Sequence, residues 1–192
     1  MHQQSPVRGV KGLGRGEAQR NPCKGIAIKW QSPVRGGRTQ TNMANTYVQN
    51  YTHLVFHVKP KTTLLLKGDT ERIFQYIGGI VKQLGGVLIE IGGMPDHVHL
   101  LTSLPKTIAL ADFMRTIKAE SSKWVKKLNP YYGGFAWQEG YGAFSVSASV
   151  LQNVVQYIRN QAEHHKKLTF LDEYKLFLKA YGIEYDERFL PG

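Results

Sequence analysis

The stretch that most constrains this chain is a turn followed by a strand that carries two histidines, Met94-Pro95-Asp96-His97-Val98-His99-Leu100-Leu101. A proline and an aspartate are turn residues, and the apolar residues after them predict a β-strand to about Ser103. Because successive side chains of a strand point to opposite faces, His97 and His99 share one face and their apolar neighbours enter a core on the other. Two imidazoles side by side on a rigid strand make half of a metal site.

The rest of the chain alternates between strand and helix patterns. In chain order we predict a strand over 46–59, a helix over 69–84 with Asp69 as N-cap, a strand over 87–91, the histidine strand, a helix over 108–128 and short strand segments over 135–146. The glycines after residue 91 predict a turn into the histidine strand. This βαββαβ order predicts the α+β class, as a ferredoxin-like sandwich with an antiparallel sheet and helices on one face.

A further amphipathic helix is predicted from Ser147 to about Lys167. Tyr157 and Gln161 lie one helical turn apart, on a stripe that borders the apolar stripe of this helix. A helix docked by its apolar face would therefore hold both side chains at the edge of its contact with the sheet. Another helical pattern follows over 174–181.

These residues suit metal-assisted attack by a tyrosine. A divalent ion held by the His97 and His99 imidazoles and the Gln161 amide oxygen keeps positions open for a phosphodiester, whose developing charge it would stabilise. The Tyr157 phenolate would then be both a nucleophile and a fair leaving group. Mg²⁺ prefers oxygen ligands, so two histidines make Mn²⁺ equally suitable or better.

Several neighbours leave alternatives open. His164 or His165 would replace Gln161 as a ligand, although their place late in the helix also suits the helix dipole. Asp96 either orients an imidazole or only caps the turn. The histidines of the first strand, His53 and His57, either face the site or DNA or are ordinary strand residues, and we favour the last.

Composition limits the classes of protein that this chain can represent. With 192 residues, 42% of them hydrophobic, it is long enough for one domain with a sizeable core. No apolar run approaches the length that spans a bilayer, so we expect a soluble protein that does not enter a membrane. The only cysteine, Cys23, excludes an internal disulfide and fits a reducing cytosol.

The formal net charge of +11 is concentrated near the amino terminus. Residues 1–42 carry eight Lys or Arg and one acid, whereas residues 43–192 carry 17 basic and 13 acidic side chains. Residues 1–42 also hold a direct repeat, Gln4–Gly9 and Gln31–Gly36, without apolar periodicity, so we predict disorder there. They are either a basic arm for DNA or translated sequence upstream of a natural start at Met43, and we favour the second.

Three motifs in order resemble the single-tyrosine HUH transposases of IS200-like insertion sequences. They are Met94–Leu100, Trp137–Ser147 and Tyr157-Ile158-Arg159-Asn160-Gln161 followed by Glu163-His164-His165. The resemblance covers about residues 43–190 and predicts a transposase catalytic domain there. It implies Tyr157 as nucleophile, His97, His99 and Gln161 as metal ligands, and Mg²⁺ or Mn²⁺ as the metal.

The same resemblance implies partners and a place of action. It implies cleavage and rejoining of single-stranded DNA with subterminal hairpins, through a 5′-phosphotyrosine, in a prokaryotic cytoplasm at the nucleoid. It also implies a homodimer whose tyrosine helices complete the partner's site in trans. As DNA contacts we name Lys118 and Lys123 for phosphates, Tyr141 for stacking on an unpaired base, and Arg159.

Two other functions fit the same residues. One is a single-tyrosine nuclease domesticated by its host to process genomic repeats, or a replication or relaxase enzyme with the same chemistry. The other is a non-catalytic nucleic-acid-binding module in which the histidines are structural. In that module, Tyr157→Phe would leave the behaviour towards DNA unchanged, whereas in the enzyme it abolishes cleavage and keeps binding.

Overall fold

A computed structural model describes residues 46–190 of the chain. The predicted disorder and start site over residues 1–42 lie outside this range. The regular elements are β1 (Tyr51–His57), α1 (Thr70–Gln83), β2 (Val87–Met94), β3 (His97–Ser103), α2 (Leu110–Val125), β4 (Gly142–Ser145), α3 (Leu151–Arg159), α4 (Gln161–His164) and α5 (Phe170–Ala180), with short 3-10 turns at Pro130–Gly134 and Glu187–Phe189.

The four strands form one antiparallel sheet in the order β2-β3-β1-β4. This order follows from the two strand–helix–strand halves of a ferredoxin-like fold, so the predicted α+β class and topology are confirmed. The histidine strand β3 lies inside the sheet, between β2 and β1. His99 is opposite Val55 on β1 and Gly92 on β2, which fixes the pair of histidines in a fully hydrogen-bonded part of the sheet.

The two faces of the sheet are covered by different helices. The first face packs against α1 and α2, with Leu54, Phe56, Val98 and Leu100 fully or almost fully buried in the larger core. The opposite face carries the histidines and packs against residues of α3 and α5. The expectation of helices on one face therefore holds for α1 and α2, while the helices after β4 cover the second face.

The prediction of one continuous helix from Ser147 to Lys167 is wrong, because the structure has two helices there. The helical segment begins at Leu151, stops at Arg159, and resumes as the four-residue α4 after a break at Asn160. The Asn160 backbone, at φ −96° and ψ 19°, turns the chain there, and its N–H is shared between two carbonyl oxygens.

Among residues 46–190, no helix is both long enough and apolar enough to cross a membrane.

Two other predicted boundaries moved. The first strand begins only at Tyr51, after residues 46–50, which have no regular secondary structure. Gly92 and Gly93 were predicted to form a turn, but they belong to β2, and the turn itself is at Pro95 and Asp96. The glycines are needed within the strand because Gly92 lies under α3 and Gly93 has φ +154°.

Candidate active site

The histidine face is buried in the way that the alternation of β3 predicts. His97 and His99 have no solvent exposure, and their ring centroids are 5.0 Å apart. Val98 and Leu100 point into the core on the other side of the sheet. The strand therefore presents two imidazoles together beneath the helices that follow β4.

The short helices α3 and α4 bring the tyrosine and the glutamine to these imidazoles within one chain. The Tyr157 ring centroid is 5.9 Å from that of His99. Gln161, only 2% exposed, places its Oε1 atom 3.3 Å from the Nε2 atom of His97. The break at Asn160 does not separate the two side chains, since both remain on the histidine face. All four residues predicted for catalysis and metal binding thus lie next to one another.

Glu173 of α5 lies at the centre of the site, although the sequence reasoning did not select it. Its side chain is 3% exposed, and its Oε1 atom accepts hydrogen bonds from the Tyr157 hydroxyl and, at 3.0 Å, from the Gln161 amide. Its Oε2 atom accepts from His165 Nε2 at 3.2 Å. The sequence did hold a signal: an acid stands between Phe170 and Phe177, on the apolar stripe of an amphipathic helix.

Two further histidines also reach the site. His53, which we favoured as an ordinary strand residue, is buried and hydrogen-bonded to His99, with His53 Nε2 3.0 Å from His99 Nδ1. His165, considered as an alternative to Gln161, has its ring centroid 4.6 Å from that of His97. His57 bonds its own neighbour's carbonyl, Val58 O, at 2.8 Å. The preference for an ordinary role was thus wrong for His53, while His57 contacts the ring of Phe170.

The hydrogen bonds of the histidines leave their Nε2 atoms turned towards the site. Asp96 Oδ1 is 2.8 Å from His97 Nδ1, so the carboxylate accepts the Nδ1 proton and Nε2 keeps its lone pair. His99 Nδ1 is bonded to His53, and His99 Nε2 is a fully buried nitrogen without a hydrogen-bond partner among the described residues. Such a nitrogen is costly to bury unless a cation or donor meets it. The donor set therefore fits a divalent metal ion.

Burial and charge set the protonation of the site. Burial lowers the pKa of His53 to about 3 and also lowers the pKa of His99, so both rings are neutral near pH 7. Burial would raise the pKa of Glu173, but the His99 imidazole and the Tyr157 and Gln161 donors hold it well below its usual range. The pKa of Tyr157 is raised far above its usual value by burial and then by the Glu173 carboxylate. Without a metal, the site thus holds an ionised carboxylate against a neutral phenol.

The four residues predicted to contact DNA are spread around the domain. Lys118 of α2 donates to the carbonyl oxygens of residues 139 and 140 at 2.5 and 3.0 Å, and its Nζ atom is 6.0 Å from the ring centre of Tyr141. Lys123 and Arg159 pair with glutamates at 2.9 and 2.7 Å. The contacts of Lys118 with these two carbonyl oxygens and with the Tyr141 ring give both residues a structural role in the loop before β4. DNA contact by these four residues stays a prediction.

Paired imidazoles on a ferredoxin-like sheet, a half-buried tyrosine and a buried carboxylate have the parts of a metal-assisted nucleophilic site. The family model described as IS200-like transposase matches residues 46–161. This match covers more than half of the chain, so the chain belongs to the IS200-like transposase family. Since a transposase cuts DNA and transfers strands, the family is one of DNA-cleaving enzymes.

Individual proteins that resemble this chain are also described as transposases. The ISDra2 transposase TnpA of Deinococcus radiodurans is 29% identical over 114 residues, which cover 57% of this chain and 81% of that protein. A crystal structure of a transposase-like protein from Deinococcus radiodurans is 26% identical with a TM-score of 0.48, over 63% of this chain and 98% of that one. A REP-associated tyrosine transposase bound to a REP hairpin is 15% identical with a TM-score of 0.48, over 66% and 74%.

Proposed function

We propose that this transposase cleaves and rejoins single-stranded DNA at the ends of an insertion sequence through a covalent bond between Tyr157 and a 5′-phosphate. The observation that carries the proposal is the position of Tyr157, whose ring centroid lies 5.9 Å from that of His99 and whose hydroxyl shares the Glu173 carboxylate with Gln161. A tyrosine with only a packing role needs no such surroundings. The family match supports the same reaction class.

In the proposed reaction the Tyr157 oxygen attacks the phosphorus of a phosphodiester. A bond forms between that oxygen and phosphorus, the bond to the 3′ oxygen breaks, and the proton lost by the phenol is balanced by the proton gained by the leaving 3′ hydroxyl. The phosphotyrosine keeps the energy of the broken bond, so attack by another 3′ hydroxyl rejoins DNA without ATP.

His97, His99 and Gln161 are the residues that we propose hold the divalent metal, Mg²⁺ or Mn²⁺. When bound, the metal supplies Lewis-acid stabilisation of charge on a non-bridging phosphate oxygen. Asp96 fixes the tautomer and the orientation of the His97 ring through the bond to Nδ1. The burial of His97, His99 and Gln161 shields the proposed metal ligands from bulk water.

The proposed DNA partner is a single strand with subterminal hairpins. One structural neighbour is a tyrosine transposase bound to a hairpin, and the net charge of +11 favours a polyanion. The homodimer implied by the resemblance is a further part of the proposal.

The test is a denaturing gel of the full chain with labelled single-stranded element ends and Mg²⁺ or Mn²⁺. We expect a protein–DNA adduct that disappears in Tyr157→Phe and without divalent ions, while Tyr157→Phe still binds the DNA. Tyr185→Phe is the matched control, because Tyr185 is exposed and lies outside the site, and it should form the adduct normally. Cleavage by Tyr157→Phe at the unmodified rate would overturn the proposal and favour a module with structural histidines.

A further inference from the structure

The carboxylate of Glu173 faces three imidazoles at once. Its Oε2 atom is 3.2 Å from His165 Nε2, 3.3 Å from His99 Nε2 and 3.8 Å from His97 Nε2. Together with Glu173, these histidines place four possible ligand atoms within 4.8 Å of one another. Glu173 and His165 both follow residue 161, where the family match ends.

These distances resemble those between ligand atoms that bind one metal ion. Ligands bound at about 2.0–2.1 Å in tetrahedral geometry lie about 3.4 Å from one another. The three distances from Glu173 Oε2 lie on either side of this value, and all four atoms lie within 4.8 Å of one another, so a local adjustment of the side chains would let them share one ion. The buried Nε2 atom of His99, which has no hydrogen-bond partner among the described residues, is directed into the same space.

The other carboxylate oxygen of Glu173, Oε1, already accepts two hydrogen bonds. Glu173 Oε1 accepts hydrogen bonds from the Tyr157 hydroxyl and from the Gln161 amide nitrogen. The Gln161 amide thereby orients the carboxylate so that Oε2 faces the histidines. One side chain of α5 therefore joins the nucleophile to the imidazoles.

We propose that, in the DNA-free protein, Glu173 and His165 complete a four-ligand metal site with His97 and His99. The proposal concerns the metal site of the proposed transposase, but binding of a metal can be measured without DNA. Three imidazoles and one carboxylate suit Zn²⁺, Co²⁺ or Mn²⁺ better than Mg²⁺, which prefers oxygen ligands and octahedral geometry. In this DNA-free state Gln161 positions the carboxylate through its amide nitrogen, and the set of His97, His99 and Gln161 proposed above is the ligand set for the reaction with bound DNA.

The test uses Co²⁺ as the probe, because its visible absorption reports four-coordinate binding by nitrogen and oxygen ligands. We expect the full chain to bind one Co²⁺, and Glu173→Gln to bind at least 10-fold more weakly. Glu163→Gln is the matched control, since Glu163 is exposed and its carboxylate pairs, among the described residues, only with Lys166, and it should bind as the unmodified chain does. Gln161→Ala should lose less affinity than Glu173→Gln.

The reverse order, with Gln161→Ala losing most of the affinity and Glu173→Gln none, would overturn the proposal in favour of a His97–His99–Gln161 site. X-ray absorption of the unmodified chain loaded with Zn²⁺ gives a second measurement that needs no variant. Three imidazoles in the first shell support the proposal, and two overturn it. Because adduct formation through Tyr157 is measured separately, either result leaves the test of the transposase reaction independent.

Discussion

At the scale of single residues, the orientation of His97 and of His99 is set by the hydrogen-bond partner of the ring nitrogen that points away from the site, Nδ1. Asp96 bonds the Nδ1 atom of His97, and His53 bonds the Nδ1 atom of His99. The two partners differ in charge, because Asp96 carries a carboxylate whereas His53 is a neutral imidazole. The two rings on the same strand are therefore oriented by different kinds of group.

The buried histidines predict that the metal-free chain loses stability in acid. In the folded chain the pKa of His53 is lowered to about 3 and that of His99 is also lowered, whereas both titrate near 6.5 when unfolded. Below about pH 6.5 the unfolded chain therefore binds more protons, and stability falls as pH decreases. The free energy of unfolding should drop from about pH 7 to about pH 5, by up to about 1.4 kcal/mol per pH unit for each ring. Denaturant titrations with a chelator measure this.

A variant separates the contribution of one ring. Between about pH 3 and pH 6.5, His53 is neutral in the folded chain and protonated in the unfolded chain. His53→Gln removes this difference, so the free energy of unfolding should depend on pH less steeply, by about one proton. Glu173, with its lowered pKa, adds to the loss only below its usual value of 4.5. Equal free energies of unfolding at about pH 5 and pH 7 in the unmodified chain would contradict this account.

At the scale of elements, the position of the nucleophile depends on how closely α3 approaches β2. A Cβ atom on Gly92 would lie 2.8 Å from the backbone oxygen of Ile158 and 2.9 Å from its Cγ2 atom. Because Ile158 follows Tyr157 directly, a methyl group at position 92 moves the helix that carries the nucleophile. The glycine thus sets a distance between two elements, and its effect on the reaction acts through α3.

We expect Gly92→Ala to reduce adduct formation at least 10-fold, since an ångström of misplacement of a reacting group can cost about 100-fold in rate. The denaturing gel measures the adduct, and circular dichroism checks that the domain folds. Gly79→Ala is the control, because nothing lies within 4 Å of its added Cβ in α1. It should keep activity and gain about 0.5–1 kcal/mol of stability. Normal adduct formation by Gly92→Ala would show that the helix adapts.

The break at Asn160 has a consequence for the same region. A continuous helix to Lys167 would carry the chain away from the sheet along one axis. With the turn at Asn160, α4 keeps Gln161 buried, and α5 returns across the histidine face so that Glu173 reaches the site. The carboxylate and the nucleophile therefore meet because two short helices replace one long one and α5 then returns across the histidine face.

At the scale of the whole molecule, one chain contains all of the residues proposed for catalysis. Tyr157 lies beside the histidines of its own chain, and its hydroxyl is bonded to Glu173 of that chain. Exchange of α3 with a partner would form the same contacts, and the same packing of Ile158 beside β2, between two chains. The contacts seen within one chain are those of a site completed in cis, and the trans sites implied by the resemblance stay a prediction.

Mixing two inactive variants decides between cis and trans sites. His97→Ala lacks a proposed ligand and Tyr157→Phe lacks the nucleophile, so an active site forms from the pair only when one subunit supplies the tyrosine to the other's histidines. We expect co-expressed variants to give no adduct above that of each alone. Co-expression of the unmodified chain with Tyr157→Phe is the control and should keep activity. A clear adduct from the inactive pair would establish exchange of the tyrosine helix.

The fold and half of the site follow from local patterns. Alternation along β3 is enough to place His97 and His99 on one buried face, because a strand has a period of two whatever surrounds it. The order of strands and helices determines the antiparallel sheet, since few topologies accommodate it. Helical spacing also puts Tyr157 and Gln161 on one side of their segment.

Contacts between distant segments were decided only by the tertiary structure. Nothing local shows that the chain turns at Asn160, that His53 of β1 bonds His99, or that an acid on the apolar stripe of α5 reaches Tyr157. The periodicity of a segment shows which side it buries, but not what it meets there. Glu173 is stable as a buried charge only because Tyr157, Gln161 and His165 donate hydrogen bonds to it, and those donors come together only in the folded chain.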